Sequence, residues 1–201
     1  LDQRSGLGRR AGKLFAGAGL DGDAYLASLL AWAPPADVLH MLHPEVRHQL
    51  EGTRPEQPML DFLAAMPCER PSLDRMLALE QQFFLADHNL IYTDKMSMAA
   101  GVEVRVPFLD LDLVELAATI PANLKQRGRE GKWILKKAME PYLPHDVIYR
   151  PKTGFGAPLR RWMRNELRPM VADVLSDQAL RRRRLFEPAA VAQLIADNDA
   201  G

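Results

Sequence analysis

This sequence of 201 residues has a single cysteine, Cys68, and no excess of either charge. One cysteine excludes an internal disulfide and is typical of a reducing cytoplasm, where we therefore expect the protein. The 26 lysines and arginines balance the 26 aspartates and glutamates, so the composition gives no sign of a nucleic-acid or membrane partner. No apolar run approaches the roughly 18 residues of a membrane-spanning helix. At 201 residues the chain is long enough to form one ordinary domain, or one and a half, with a buried core.

The spacing of apolar residues predicts a mainly α chain whose strongest helix runs from about Ser72 to Tyr92. Ser72 is a residue type that caps helices, and apolar side chains recur behind it at the spacing of one buried face. A second helix is predicted from about Asp94 to Gly101, because glycine commonly ends helices. The face of the first helix comprises Leu73, Met76, Leu77, Phe83, Phe84, Leu90 and Ile91.

Proline and glycine punctuate the rest of the chain, which predicts short helices joined by loops. Residues 1–24 are glycine-rich and basic and are interpreted as a connector, and residues 52–58 as a loop. We therefore expect a connector with peripheral helices over residues 1–71 and one helical domain portion over residues 72–201. The predicted short helices span residues 24–33, 44–51, 111–119, 130–140, 158–167, 169–176 and 188–197.

The segment from Lys95 to Asp110 places charged side chains among apolar and small residues. After Gly101 the sequence alternates strictly, which predicts an extended segment with Glu103 and Arg105 on one side and its valines facing the core. This arrangement can gather an ammonium, a carboxylate and a guanidinium around one point, as a site for a phosphate-bearing ligand requires. An ion-pair cluster that only pins a helix to a strand explains the pattern equally well.

A second segment, Arg150-Pro-Lys-Thr-Gly-Phe-Gly-Ala-Pro158, combines a lysine with two glycines and two prolines. Glycine permits close approach of the backbone to a ligand, and proline stiffens the loop. A rigid loop that presents Lys152 suits a phosphoryl transition state, where charge spreads over several oxygens. A surface loop with an incidental lysine is the alternative. Phe155 is interpreted as a core residue that can also border a ligand.

Together the two segments resemble the synthetase domain of glutamine-hydrolysing asparagine synthetases and their relatives, which include the β-lactam-forming synthetases. The resemblance is best over residues 73–174 and consists of five blocks in the family's order and at similar spacing. It implies that the chain is the helical C-terminal part of an α/β PP-loop ATP pyrophosphatase domain. The blocks are Lys95-Met-Ser-Met-Ala99, Glu103-Val-Arg-Val-Pro-Phe-Leu-Asp110, Gly131-Lys132 with Leu135-Lys136, Tyr142-Leu-Pro144, and Arg150-Pro-Lys-Thr-Gly-Phe-Gly156.

The resemblance implies an ATP-dependent ligase that forms an amide through an acyl-adenylate. Aspartate, ATP and glutamine-derived ammonia would give asparagine, AMP and pyrophosphate. The roles that carry over by resemblance are catalysis for Lys152, Glu103 and Lys95, binding of ATP and pyrophosphate for Lys152, Gly154 and Lys95, and support of the site for Arg105 and Asp110.

Three elements of the family are absent from these 201 residues: a Ser-Gly-Gly-x-Asp-Ser pyrophosphate loop, an acidic segment for Mg²⁺, and an N-terminal catalytic cysteine. The resemblance places all three upstream. We therefore expect the chain to be the C-terminal half of a synthetase domain, inactive alone, with ATP and Mg²⁺ as cofactors and no metal ligands of its own. The implied partners are an N-terminal glutaminase domain and the PP-loop half of the same protein, and a small carboxylate such as aspartate. A homodimer is a further candidate assembly.

Other interpretations stay open at this point. A related synthetase could use a different carboxylate, as in β-lactam formation or in polysaccharide or peptide amidation, and a helical module could bind a partner without catalysis. His40, His43 and His48 lack further ligands nearby in the sequence, which favours structural or surface histidines over a metal site. The run Arg181–Arg184 favours a solvated helix end over a nucleic-acid contact.

Overall fold

The computed structural model describes residue 17 and residues 19–151 and 157–200 of the protein. Helices dominate these residues, which confirms the predicted mainly α fold class. The chain divides into two compact units. The first unit contains the described residues up to 63 and those from 157 onward, and the second unit contains residues 64–151. The predicted division between residues 71 and 72 stays a prediction.

The first unit is built from two chain segments that are distant in the sequence. Residues 41–43 meet residues 185–187 through an isolated antiparallel bridge, and the N–H of His43 donates to the carbonyl of Leu185 at 2.9 Å. Both segments contribute to the buried core. Its buried apolar residues are Leu26, Ala27, Leu63, Leu180 and Val191. The helices of the first unit are α1 (Gly22–Leu30), α2 (Pro35–Met41), α3 (Pro44–Gln49), α4 (Gln57–Ala64), α11 (Leu159–Arg164), α12 (Arg168–Val174), α13 (Asp177–Arg183) and α14 (Pro188–Ala200).

A long helical path opens the second unit and changes its winding along the way. Helix α5 (Ser72–Leu79) continues into a π-helix (Glu80–Leu90) and then into α6 (Ile91–Ala99). The predicted break between two helices near residue 93 is therefore wrong, since no proline or glycine interrupts residues 72–99. The predicted cap is also wrong, because Pro71 holds the N-cap position and Ser72 is already helical.

The remainder of the second unit consists of short elements around a small hairpin. The ammonium of Lys125 lies 2.8 Å from a carboxylate oxygen of Asp74, and this half-buried pair ties the helix that carries Lys125 to α5. The elements are a 3₁₀ turn (Pro107–Leu109), α7 (Leu111–Thr119), α8 (Ala122–Lys125), β1 (Gln126–Arg127), β2 (Glu130–Gly131), α9 (Trp133–Met139) and α10 (His145–Ile148), with β1 and β2 antiparallel.

The predicted burial of the extended segment is wrong. Val102, Val104 and Val106 are 55%, 45% and 44% exposed, because no strand of the described chain pairs with this segment. The predicted apolar helix face is only half-buried, and its last member, Ile91, is exposed. The buried residues of α5 are instead Leu79 and Arg75, whose guanidinium donates to the carbonyl of Pro67 at 3.2 Å.

Several helix boundaries follow the predictions closely. The helix predicted over residues 111–119 is confirmed as α7, and the helices predicted at 24–33, 44–51, 158–167, 169–176 and 188–197 correspond to α1, α3, α11, α12 and α14. The segment 130–140 begins instead with strand β2 and becomes helical at Trp133. Helices α2, α4, α8, α10 and α13 have no counterpart among the predicted elements. The connector predicted over residues 1–24 lies largely outside the described residues. Within the described chain, no helix combines the length and apolar character that crossing a membrane requires.

Candidate functional site

Lys95 lies on α6 and is exposed. No other described residue forms an ion pair or a hydrogen bond with its ammonium group. The helix ends about one turn later at Ala99, and Gly101 follows with a φ of 67° that favours glycine. The N–H of Val102 donates back to the carbonyl of Ser97 at 2.9 Å. This helix end leads directly into the extended segment that carries the next two candidate residues.

Glu103 and Arg105 lie on the same side of the extended segment, as the alternation predicts. A guanidinium nitrogen of Arg105 is 2.5 Å from a carboxylate oxygen of Glu103, and their side chains are 85% and 70% exposed. Exposed pairs of this kind contribute only about 0–1 kcal/mol to stability. The alternative explanation, a cluster that pins the helix to a strand, is therefore weak, since the pair joins two neighbours on one segment and Lys95 takes no part in it.

Asp110 begins the helix that follows the extended segment. Its side chain accepts a hydrogen bond from the N–H of Leu113 at 3.3 Å, so Asp110 is the N-cap of α7. The contact fixes the start of α7, which follows the segment that carries Glu103. The supporting roles that the resemblance implies for Asp110 and Arg105 both stay predictions.

Lys152, Gly154 and Phe155 lie outside the described residues. Their predicted roles therefore rest on the sequence alone. The last described residue before this gap is Pro151, which is exposed, and the description resumes at residue 157. What the structure shows at this point is how the preceding residues, up to Tyr149, are held.

Tyr149 belongs to a polar network with Lys137, which lies on α9, and Glu140, which directly follows α9. Its hydroxyl donates to a carboxylate oxygen of Glu140 at 2.6 Å, and the ammonium of Lys137 donates to the same oxygen at 2.7 Å. The Lys137 ammonium, followed by the Tyr149 hydroxyl, lowers the pKa of Glu140 below its usual value. The carboxylate in turn raises the pKa values of Tyr149 and Lys137. The three groups therefore keep their charged pair and protonated phenol over a wide pH range.

Lys132 is a candidate that the sequence reasoning quoted within a family block but did not assign to the site. It precedes α9 with a φ of 58°, a left-handed conformation that residues with a Cβ rarely adopt. Strained backbone of this kind clusters at functional sites. The adjoining Gly131 was the signal that could have drawn attention to it.

The other charged clusters have structural explanations. His43 caps α3 by accepting from the N–H of Glu45 at 3.3 Å, and the described residues contain no group of three histidine, cysteine or acidic side chains that could hold a metal ion. Arg184 pairs with Glu45, and Arg181 pairs with Asp177 at 2.6 Å. The arginine run is thus the exposed, largely paired end of a helix.

The first unit contains a mainly apolar cleft of about 250 Å³. Two charged residues, Arg168 and Asp199, lie at this cleft and pair with each other at 3.2 Å. None of the residues that the sequence assigned to chemistry lines it. The cleft therefore adds no group to the candidate site.

Comparisons with known proteins agree with the resemblance. A family model described as asparagine synthase matches residues 6–201. A curated protein of Mycobacterium bovis, provisionally named a glutamine-hydrolysing asparagine synthetase, is 34% identical over 162 residues, which cover 78% of this chain and 24% of that protein. Glutamine-hydrolysing asparagine synthetase 1 of Bacillus subtilis is 34% identical over 105 residues, covering 52% of this chain and 17% of the relative. No solved structure matches significantly.

The chain thus spans about a quarter or less of the length of these curated relatives. Because the family model extends over nearly the whole sequence, from residue 6 to residue 201, the match is not confined to the quoted blocks. The chain belongs to the asparagine synthase family.

Proposed function

We propose that this chain is part of an ATP-dependent, amide-forming ligase of the asparagine synthetase type. The observation that carries the proposal is the family match over residues 6–201. In the proposed reaction an oxygen of the aspartate side-chain carboxylate attacks the α-phosphate of ATP and displaces pyrophosphate. Ammonia derived from glutamine then attacks the activated carbonyl, and AMP leaves with the carboxylate oxygen.

Lysines would supply the positive charge that this reaction needs. Negative charge builds up on the α-phosphate and on the departing pyrophosphate, and a positioned ammonium stabilises both. We assign this task to Lys152, with Gly154 allowing the backbone to approach the phosphates and Lys95 as a second phosphate contact. Lys95 is exposed and has no ion-pair or hydrogen-bond partner for its ammonium among the described residues, which supports its assignment.

Glu103 is proposed as the acidic catalytic residue beside the nucleotide and the acceptor. Its carboxylate lies 2.5 Å from a guanidinium nitrogen of Arg105. Arg105 and Asp110 would support it, the first by this contact and the second by capping α7. This arrangement leaves one face of the extended segment open to a substrate.

The remaining parts of the site are proposed to lie elsewhere in a longer protein. The ligands of Mg²⁺ and the pyrophosphate loop would come from an upstream PP-loop half, as the resemblance implies. A glutaminase domain would supply ammonia. On this proposal the chain alone is inactive, and the complete gene product works in the cytoplasm.

Isotope transfer tests the reaction route. Aspartate labelled with ¹⁸O in its side-chain carboxylate is incubated with ATP, ammonia and the complete gene product, and the products are analysed by mass spectrometry. We expect AMP that carries one ¹⁸O atom, because the bond from carbon to that oxygen breaks when ammonia attacks. Label in inorganic phosphate, with ADP as coproduct, would contradict the adenylate route. The matched control omits ammonia and should give no labelled AMP beyond background.

The same experiment separates the substrate alternatives. If unlabelled aspartate fails to support AMP formation and another carboxylate succeeds, the ligase chemistry stands and the acceptor changes. If no carboxylate supports it, the proposal of a non-catalytic helical module replaces the ligase.

A further inference from the structure

The apolar cleft of the first unit is lined by one row of side chains from α12 and one from α14. Within each row the residues recur at helical spacing, so each helix turns one face toward the cleft. The volume of about 250 Å³ lies below the roughly 300–1,000 Å³ that is usual for drug-sized ligands, which suits a smaller molecule. The apolar rows are Val171, Ala172 and Leu175, and Val191, Leu194 and Ile195.

A pair of opposite charges lies at one end of this cleft. Arg168 is the first residue of α12, and Asp199 lies in the last turn of α14. A guanidinium nitrogen of Arg168 is 3.2 Å from a carboxylate oxygen of Asp199. From this pair the apolar rows extend for roughly 10–12 Å, since each helical residue adds about 1.5 Å. The cleft thus combines an apolar length with a cation and an anion at the same end.

Stability alone explains this charged pair poorly. The side chains of Arg168 and Asp199 are 61% and 32% exposed, and exposed pairs contribute little to stability. A cation in the first turn of a helix and an anion in the last turn also both oppose the helix dipole. Another contact already joins α14 to α11, because Arg164 donates to the carbonyl of Asn198 at 2.5 Å. A ligand can therefore separate Arg168 from Asp199 at little cost to the fold.

The two charges and the apolar rows together define the chemistry of such a ligand. A carboxylate fits the guanidinium of Arg168, an ammonium fits the carboxylate of Asp199, and an apolar chain fits the rows beyond them. A ligand with only one charged group would leave the other protein charge without its partner. A free α-amino acid carries both groups on one carbon atom, and its side chain supplies the apolar part.

We propose that this cleft binds a free hydrophobic α-amino acid of about the size of leucine. Its carboxylate contacts Arg168, its ammonium contacts Asp199, and its side chain lies between α12 and α14. The inference is separate from the proposed function, because none of the described residues assigned to that reaction lines the cleft.

Binding of four compounds to the complete gene product tests the ligand chemistry by isothermal titration calorimetry. L-Leucine should bind saturably at one site. 3-Methylbutylamine lacks its carboxylate, 4-methylpentanoate lacks its ammonium, and L-alanine lacks most of its apolar side chain. Each of these three should bind at least about tenfold more weakly than L-leucine. Excess aspartate should not displace L-leucine, because aspartate has no apolar side chain.

Variants of the complete gene product locate the site. Arg168→Gln and Asp199→Asn each remove one charge, and Ala172→Phe fills the cleft, so each should weaken L-leucine binding at least about tenfold. Arg168→Lys keeps the charge and should stay within about threefold of wild type. The matched control is Arg161→Gln, which removes an exposed guanidinium that pairs with Glu166 in the same unit at 3.8 Å. It should bind like wild type, and thermal unfolding without ligand checks that each variant is folded.

Absence of saturable L-leucine binding to the wild type would overturn the inference. Equal binding of either singly charged analogue would overturn it as well, because one of the two protein charges would then take no part. Wild-type affinity in folded Arg168→Gln and Asp199→Asn, or displacement of L-leucine by aspartate, would place the amino acid elsewhere and would also refute it. If Ala172→Phe fails to fold, the two charge variants decide.

Discussion

The two units of the protein use their charged side chains in different ways. In the first unit, Arg184 pairs with Glu45 and Arg168 pairs with Asp199, so charges join chain segments that are far apart in the sequence. In the second unit, Lys95 has no partner within the described chain, and the Glu103–Arg105 pair joins only near neighbours. The second unit also contains a pair between distant segments, Lys125 with Asp74, so the difference lies in the segment from Lys95 to Arg105, which makes no ion pair with distant described residues.

Both units expose large apolar side chains, including Trp32 of the first unit at 78%, but their distribution along the chain differs. The first unit buries leucines contributed by both of its chain segments. The second unit exposes a nearly continuous series around the candidate residues. The exposed members between α6 and α7 are Ile91, Tyr92, Met96, Met98, Val102, Val104, Val106, Phe108, Leu111, Leu113 and Leu116. A large exposed apolar surface is typical of a site or an interface that is completed by further protein.

The largest expected effect tests the packed core of the first unit. Leu63 is fully buried, so Leu63→Ala should lower the free energy of unfolding by about 2–5 kcal/mol. Leu116→Ala, at an exposed leucine of the second unit, should change it by less than about 0.5 kcal/mol. Chemical denaturation of this chain measures both. Equal losses would remove the contrast in packing between the two units.

The second prediction concerns the proposed phosphate contact. Lys152→Ala in the complete gene product should lower kcat for pyrophosphate release by about 10²–10³-fold, because a preorganised charge on the transition state is lost. The control is Lys137→Met, which removes an ammonium that already pairs with Glu140. The Lys137→Met variant should retain far more activity than the Lys152→Ala variant. Full activity of Lys152→Ala would show that the assignment of Lys152 is wrong.

The third prediction compares the smaller losses of stability expected when two carboxylates of the second unit are removed. Asp74 and Lys125 are only 21% and 18% exposed, so Asp74→Ala should cost about 1–2 kcal/mol of unfolding free energy. Glu103→Ala removes an exposed pair and should cost less than about 0.5 kcal/mol while reducing activity. A loss of stability at Glu103 as large as that at Asp74 would make Glu103 a structural residue.

The smallest effect is a pH dependence at Glu140. The neighbouring Lys137, Tyr149 and His145 lower the pKa of this carboxyl from 4.5, so its contribution to stability is present above pH 4.5 and is lost as the pH falls through the lower folded value. The difference in unfolding free energy between wild type and Glu140→Gln should therefore shrink below pH 4.5. A difference that stays constant from pH 7 to pH 3 would show that the carboxylate is not engaged.

The sequence predicted the mainly α class and the family, because both depend on patterns within short stretches. Helix α7 is an example, since a capping aspartate, an apolar run and a following proline all lie within residues 110–121. The π-helix escaped prediction, because its apolar spacing also fits an α-helix and its winding depends on tertiary packing. The exposure of Val104 was missed for a related reason. Strict alternation predicts an extended backbone, but it does not state whether another strand covers it.

Side-chain partners were predicted where they are close in sequence and missed where they are distant. Glu103 and Arg105 are two residues apart on one segment, so alternation alone places them together. Asp74 and Lys125 are 51 residues apart, and no local pattern pairs them. The contact between Tyr149 and Glu140 depends on how the chain folds between the ends of α9 and α10, and only the structure shows it.

The most direct test of the central claim is pyrophosphate release from ATP by the complete gene product, in the presence of ammonia, with and without aspartate. The account predicts release that depends on aspartate and on Lys152, and none from this chain alone. Absence of release from the complete protein with every carboxylate tried would contradict the claim that this chain belongs to a ligase.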